Sequence, residues 1–328
     1  MSPPVNPENA YPFVLDNMAD QGLIRSRAFS LDLRNVDSPS GAVIFGGVDT
    51  SKFVGALAKL PILEPSQTPS GANRYWVSLT GVGITFPDGS ATTSEEIDVP
   101  IFLDSGGTLS RLPTPIFLAI GDAFPGAQFD PQSGFYIVDC DIGDQPGSVD
   151  FAFGSKIIRV PYADFVWEVQ RDLCVVGVLP GDDEPVFGDS FLRAAYVVYD
   201  QDNRNLHIAQ AADCGDSNII AIGTGSNAVP SSTGECTASF DTSGPTDSGG
   251  LDVTATREPA NILTGGIPGV TSVEFGPGPA GTRTSTSGLG LPNPTGTDEN
   301  AAIRVGAGAS QRAFVALVVA YTFACFMF

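Results

Sequence analysis

Seven short runs of β-forming residues constrain the fold of this chain more than any other feature. They read AFSLDL (28–33), AVIFG (42–46), RYWVSLTGVGI (74–84), FYIVD (135–139), VDFAF (149–153), IIRV (157–160) and AYVVYD (195–200). β-Branched and aromatic side chains fill them, and Gly, Pro, Asp and Asn stand between them. The pattern predicts a mainly β globular region over residues 1–212. Two helices fit the gaps. One is predicted over 9–21. The other starts after Thr114 as N-cap with Pro115 at the first helical position, and its Ile116, Ile120 and Phe124 recur at helical spacing.

The composition changes at 213. Gly, Ser, Thr and Pro dominate residues 213–305, and such a stretch buries too little apolar area to offset chain entropy. It reads as a disordered, O-glycosylated stalk or linker, with a Cys214–Cys236 bridge able to order its front. Residues 306–328 hold an uncharged apolar run, AFVALVVAYTFACFMF (313–328). That run is short for a membrane span. With the spacer Ile303–Arg312 and the small residues Asn300, Ala301 and Ala302 before it, it reads as a GPI-attachment signal. Asn300 is the expected attachment residue, with Gly306 as fallback and an ordinary tail anchor as the competing reading. The expected location is the secretory pathway and the cell surface or cell wall, membrane-anchored through GPI. The start, MSPPVNPENAYPFVL, has neither a basic nor an apolar leader region. Either entry takes another route or the front of the chain is missing.

Charge and rare residues remove many chemistries. Lys and Arg number 16 against 37 Asp and Glu, a formal net charge of −21. Such a surface repels phosphate backbones, so nucleic acid is not an expected partner. The single histidine, His207, lies in the strand-like run NLHIAQ and reads as a plain strand residue. A multi-His metal site is excluded, and neither a metal nor a cofactor is expected. No nucleophile elbow, phosphate loop or zinc-type Cys cluster occurs.

What remains is a carboxylate. In IFLDSGGTL (101–109), Asp104 follows three apolar residues and precedes a Ser-Gly-Gly-Thr turn. Burying a carboxylate at a strand end is costly without hydrogen bonds around it, so the position asks for a function. Asp247-Ser248-Gly249 spells the same tripeptide. It follows SGPT rather than an apolar strand, and no buried scaffold would hold it.

The segment LDSGGTLSRLP (103–113) resembles the second active-site loop of pepsin-like aspartic proteases, of the fungal GPI-anchored, yapsin-like type. AFSLDLRNVDSPSGAVIFGGVDTSKFVGALAKLPI (28–62) resembles the end of that family's first lobe and its crossing. VFGDSFLRAAYVVYDQDNRNLHIA (186–209) resembles its closing segment, with Phe187-Gly188 as the step packed against the loop. The resemblance implies a pepsin-like fold in which 1–60 is the tail of the first lobe with the crossing and 61–212 is the second lobe. It implies that Asp104 is catalytic within the loop Ser105, Gly106, Gly107 and Thr108, and that Cys140 pairs with Cys174. It also implies an endopeptidase acting on protein or peptide substrates. In that enzyme class two carboxylates share one proton, because two charges so close cannot both ionise, and the pair activates a water. Tyr75 and Phe102 are candidates to line the substrate pocket, although aromatics in RYWVSL also suit strand packing.

Two departures stand out. No apolar-flanked D-T-G precedes residue 28: Asp16 and Asp20 lie in the helix-like segment, and Tyr11 belongs after the flap. The expectation is a chain holding the second lobe without most of the first, with little activity by itself. The second departure is Gly107, where the family places a hydroxyl bonded to the catalytic carboxylate; losing one hydrogen bond to a charged group costs on the order of 1.5–3 kcal/mol of carboxylate positioning. The alternatives are an inactive half-protease acting as a cell-surface or interaction protein, and self-pairing of two copies that each lend an Asp.

Overall fold

A computed structural model describes residues 12–35, 38 and 40–237, together with the backbone of 246–251 and 317–322. Asn300, the attachment candidate, and Tyr11 lie outside the described residues.

The central element is a six-stranded antiparallel sheet. Its order is Leu317–Thr322, Ser40–Phe45, Ala28–Asp32, Ala195–Asp200, Asn205–Ala211 and Phe53–Pro61. Strands that the sequence reading divides between 1–60 and 61–212 therefore interleave in one sheet. Every residue of Ala28–Asp32 and Ala195–Asp200 is buried, because both faces of the sheet are covered. Successive side chains point to opposite faces. Phe29, Leu31, Val197, Tyr199, Leu206 and Ile208 enter the main core. Ala28, Tyr196, Val198 and Ala209 face a second core with Phe53, Ile222 and Val229.

That second core is closed by the front of the Ser/Thr/Gly/Pro-rich stretch. Strand Ile219–Ala221 pairs with Gly47–Asp49, and a Cys214–Cys236 disulfide joins the ends of this strap. Ile222, Ala228 and Val229 are the reason it folds: they supply apolar area that the composition of 213–305 as a whole obscures.

A five-stranded mixed sheet carries the loop of interest. Its order is Val178–Pro180, Ser110–Leu112, Val186–Phe187, Val99–Leu103 and Trp76–Leu79. Two further sheets complete the lobe. One contains Gly81–Thr85, Ser90–Ser94, Ser148–Phe153 and Lys156–Pro161 with the backbone of Thr246–Leu251 at its edge. The other contains Gln128–Asp130, Phe135–Val138, Leu173–Val176 and Val166–Gln170, and the Cys140–Cys174 disulfide secures it.

The helices depart slightly from expectation. The first covers Val14–Asp20, and Asp16 Oδ2 accepts the Phe13 N–H at 2.8 Å. The second covers Thr114–Ala123 with Pro113 at the cap, one residue earlier than expected. Thr114 does not cap its own helix, because its hydroxyl donates to Asp182 Oδ2 at 2.6 Å while its N–H donates to Asp182 Oδ1 at 2.7 Å. The acidic run GDDEP (181–185) is tied to the rest of the chain: Asp182 caps a helix, and Glu184 pairs with Arg74 at 2.6 Å.

Candidate active site

Strand Val99–Leu103 ends at Asp104, and the chain returns as Ser110–Leu112. The two strands are not neighbours: Val186–Phe187 lies between them, parallel to the first and antiparallel to the second. The loop 104–109 therefore arches over the end of an inserted strand. This explains why Ile101, Phe102 and Leu103 are apolar and buried while Asp104 is half-buried and Ser105 and Gly106 are exposed.

The loop is held mainly by its backbone. The Asp104 N–H donates to Phe187 O at 3.0 Å, and Gly107 N–H donates to Asp104 O at 3.2 Å. Asp104 Oδ1 accepts the Gly106 N–H at 3.0 Å, so the turn itself solvates one carboxylate oxygen. On the far side, Asp189 N–H donates to Gly107 O at 2.8 Å and Ser190 N–H to Thr108 O at 3.0 Å. Gly188 makes this approach possible, since a Cβ there would stand 2.5 Å from Gly107 O and 3.1 Å from Leu109 O. At Gly107 the space is open: a Cβ would meet nothing nearer than Asp104 O at 3.8 Å. The missing hydroxyl at this position is not enforced by crowding.

Asp189 is a carboxylate the sequence reading passed over. Burial pushes its pKa up to about 6, the Arg193 guanidinium opposes the rise, and the charge on Asp104 adds to it. Its Oδ1 is buried with no hydrogen-bond partner among the described residues. The signal lay in FGDSFL, where an acid directly follows the glycine read as a packing step.

The other candidates fall as follows. Tyr75 is 3% exposed, with its ring edge-on to Tyr199 at 4.7 Å. Phe102 is 6% exposed, 5.7 Å from the Trp76 ring and beneath the Arg74 guanidinium at 5.3 Å. Both are packed into the core under the loop, and neither offers a free face. Ser105 and Thr108 stay with Asp104 in the loop. Among the described residues no cluster of metal-ligating side chains occurs, and no helix is long and apolar enough to cross a membrane.

The fold and loop define a β-rich lobe built to present one carboxylate at the mouth of a turn. The chain matches the family described as eukaryotic aspartyl protease over residues 3–211, and it belongs to that family, with its mainly β pepsin-like fold. It is 35% identical over 243 residues to the probable aspartic-type endopeptidase OPSB of Arthroderma benhamiae, covering 69% of this chain and 48% of that protein. It is 36% identical over 225 residues to aspartic proteinase 3 of Saccharomyces cerevisiae, covering 67% of this chain and 38% of that protein. The acid protease of Saccharomycopsis fibuligera is 35% identical over 209 residues, covering 61% and 51%. The chain thus spans about half the length of the curated relatives it matches, or less.

Proposed function

We propose that this chain supplies one half of an aspartic endopeptidase site, with Asp104 as one of its two catalytic carboxylates. The observation that carries the reading is the Asp104 turn, a half-buried carboxylate at a strand end, beside an inserted strand and solvated by its own Gly106 N–H. The second carboxylate comes from the part of the relatives' length that this chain does not span. With one proton shared between the two, the ionised member removes a proton from water. The resulting hydroxide adds to the peptide carbonyl while the other carboxyl donates its proton to the carbonyl oxygen. Collapse of the diol breaks the C–N bond, and the leaving nitrogen takes a proton from the dyad. Two disulfides among the described residues support folding in an oxidising, secretory compartment. The 300–328 pattern supports GPI attachment at Asn300 after removal of the apolar end.

The test uses protein made from the native locus, captured by an epitope tag placed in an exposed loop, with the transcript start mapped in the same strain. Acid-pH, pepstatin-sensitive peptidolysis is expected. Asp104→Asn should lower kcat by a factor on the order of 1,000 or more, with KM little changed. An intact rate in Asp104→Asn, or an inactive wild-type protein, overturns the proposal.

A further inference from the structure

Two buried hydroxyls stand directly behind the loop. Ser110 and Ser190 are both 0% exposed, and their chain neighbours Leu109 and Phe191 and the Val178 paired with Ser110 are buried apolar residues. Polar groups in such a place need complete hydrogen bonding and are costly when incompletely paired. The pair satisfies this requirement in a way that fixes every proton. A serine hydroxyl has one hydrogen to donate and two lone pairs. Ser190 Oγ lies 2.7 Å from Gly177 O, which only accepts, so the Ser190 hydrogen points there. The 2.9 Å contact between the two Oγ atoms is then donated by Ser110. Ser190 Oγ also accepts the Ser110 N–H at 2.9 Å, which fills its second lone pair. Ser110 Oγ in turn accepts the Gly188 N–H at 3.3 Å. The result is a single directed chain from Gly188 N–H through Ser110 and Ser190 to Gly177 O.

Both ends of that chain are close backbone approaches. Gly188 touches the Asp104 loop at Gly107 O, and a Cβ at Gly177 would stand 2.6 Å from Phe165 O and 3.0 Å from Ser190 Cβ. The hydroxyls therefore tie the loop's return strand, the end of the inserted strand and the Gly177 link between strands Leu173–Val176 and Val178–Pro180 at one point. From this geometry we infer that Ser110 and Ser190 are positioning residues, a clasp that seats the Asp104 loop on Gly188 and so aims the Asp104 carboxyl. The inference rests on the reading of Asp104 as catalytic, and adds residues that neither touch substrate nor lie in the loop's D-S-G-G signature. Sub-ångström displacement of a reacting group is enough to slow a reaction, so the clasp acts on rate rather than on substrate affinity.

The experiment compares wild type with Ser110→Ala, Ser190→Ala, Ser190→Cys and Ser190→Thr, and it reads two quantities. The first is the NMR chemical shift of the Gly106 amide in the 328-residue chain, which reports the hydrogen bond from Gly106 N–H to Asp104 Oδ1 and is referenced to Asp104→Ala. The second is kcat and KM of the same variants made from the native locus. Loss of the clasp is expected to move the Gly106 amide resonance toward its position in Asp104→Ala and to lower kcat about tenfold, with KM within about twofold. Ser190→Thr keeps the hydroxyl and is expected to restore both readouts. Ser190→Cys keeps the volume with a weak donor, so it reports on the clasp even where an alanine variant does not fold. Folded Ala or Cys variants with an unmoved Gly106 amide resonance and wild-type kcat would overturn the clasp. A wild-type protein without peptidase activity would overturn the proposed function instead, and the Gly106 amide resonance would still decide the clasp.

Discussion

At the scale of single residues, the site rests on which positions tolerate a side chain. Gly188 and Gly107 face each other across one contact, yet their surroundings differ. A Cβ on Gly188 would enter the loop backbone at 2.5 Å, whereas one on Gly107 would meet its nearest neighbour at 3.8 Å. Gly188→Ala is expected to destabilise the protein by about 2–3 kcal/mol, because backbone must move to admit the methyl group. Gly107→Ser is expected to stay within about 0.5 kcal/mol of wild type. Urea unfolding of both variants checks the pair, and equal stabilities would mean that the close approach at Gly188 costs nothing to lose. Asp104 was legible in the sequence because a carboxylate after IFL and before a glycine turn needs a reason to be there. Ser110 and Ser190 were not legible. Each is an ordinary serine in its own segment, and only the fold brings residues 80 positions apart to 2.9 Å.

At the scale of elements, the strong β-type runs became strands where they were read, since apolar content and flanking turn residues mark a strand locally. The elements that shape the site are shorter. Val186–Phe187 has two residues and Ser110–Leu112 three, and neither length leaves a periodic signal. Their order in the sheet depends on contacts between distant segments. The strap 214–236 was partly legible: its cysteines were visible, but its Ile222 and Val229 were lost in the average composition around them. Its disulfide spans 22 positions, and closing a loop of that size contributes about 3 kcal/mol. A Cys214→Ser, Cys236→Ser double variant is expected to become cleavable by added protease within 214–236 while residues 40–211 stay resistant. Mass spectrometry of the fragments checks this. Cleavage spread evenly over the lobe would show that the strap is integral to the core rather than laid over it.

At the scale of the whole molecule, two buried groups oppose each other in acid. Asp189 has its pKa pushed up to about 6 by burial and by Asp104, against the pull of Arg193. A carboxyl raised in the folded state lowers stability as pH rises from about 4 to 6, because the unfolded chain ionises first. His207 is the reverse case. It is 7% exposed in the strand Asn205–Ala211, its Nε2 has no hydrogen-bond partner among the described residues, and burial with Lys59 nearby pushes its pKa down to about 4. Its neutral form is the folded form, so its contribution is complete above about 6.5 and is lost as pH falls through 4. A midpoint displaced by roughly two pH units corresponds to about 3 kcal/mol, and over pH 4–6.5 the two contributions run in opposite directions. The wild-type protein therefore carries little net slope from this pair. Relative to wild type, Asp189→Asn is expected to gain stability as pH rises from 4 to 6.5, and His207→Gln is expected to lose it. The double variant should track wild type over the same range. Other buried carboxyls, Asp32, Asp150 and Asp200 among them, are common to all four proteins and cancel in the differences. Chemical unfolding of the four proteins across that range provides the measurement, and parallel curves for the two single variants would show that the offset does not exist. A chain with a net charge of −21 also loses self-repulsion as carboxylates protonate. The offset removes this pair from the net pH dependence and leaves it to that relief and to the other buried carboxyls, whose raised pKa values act in the same direction.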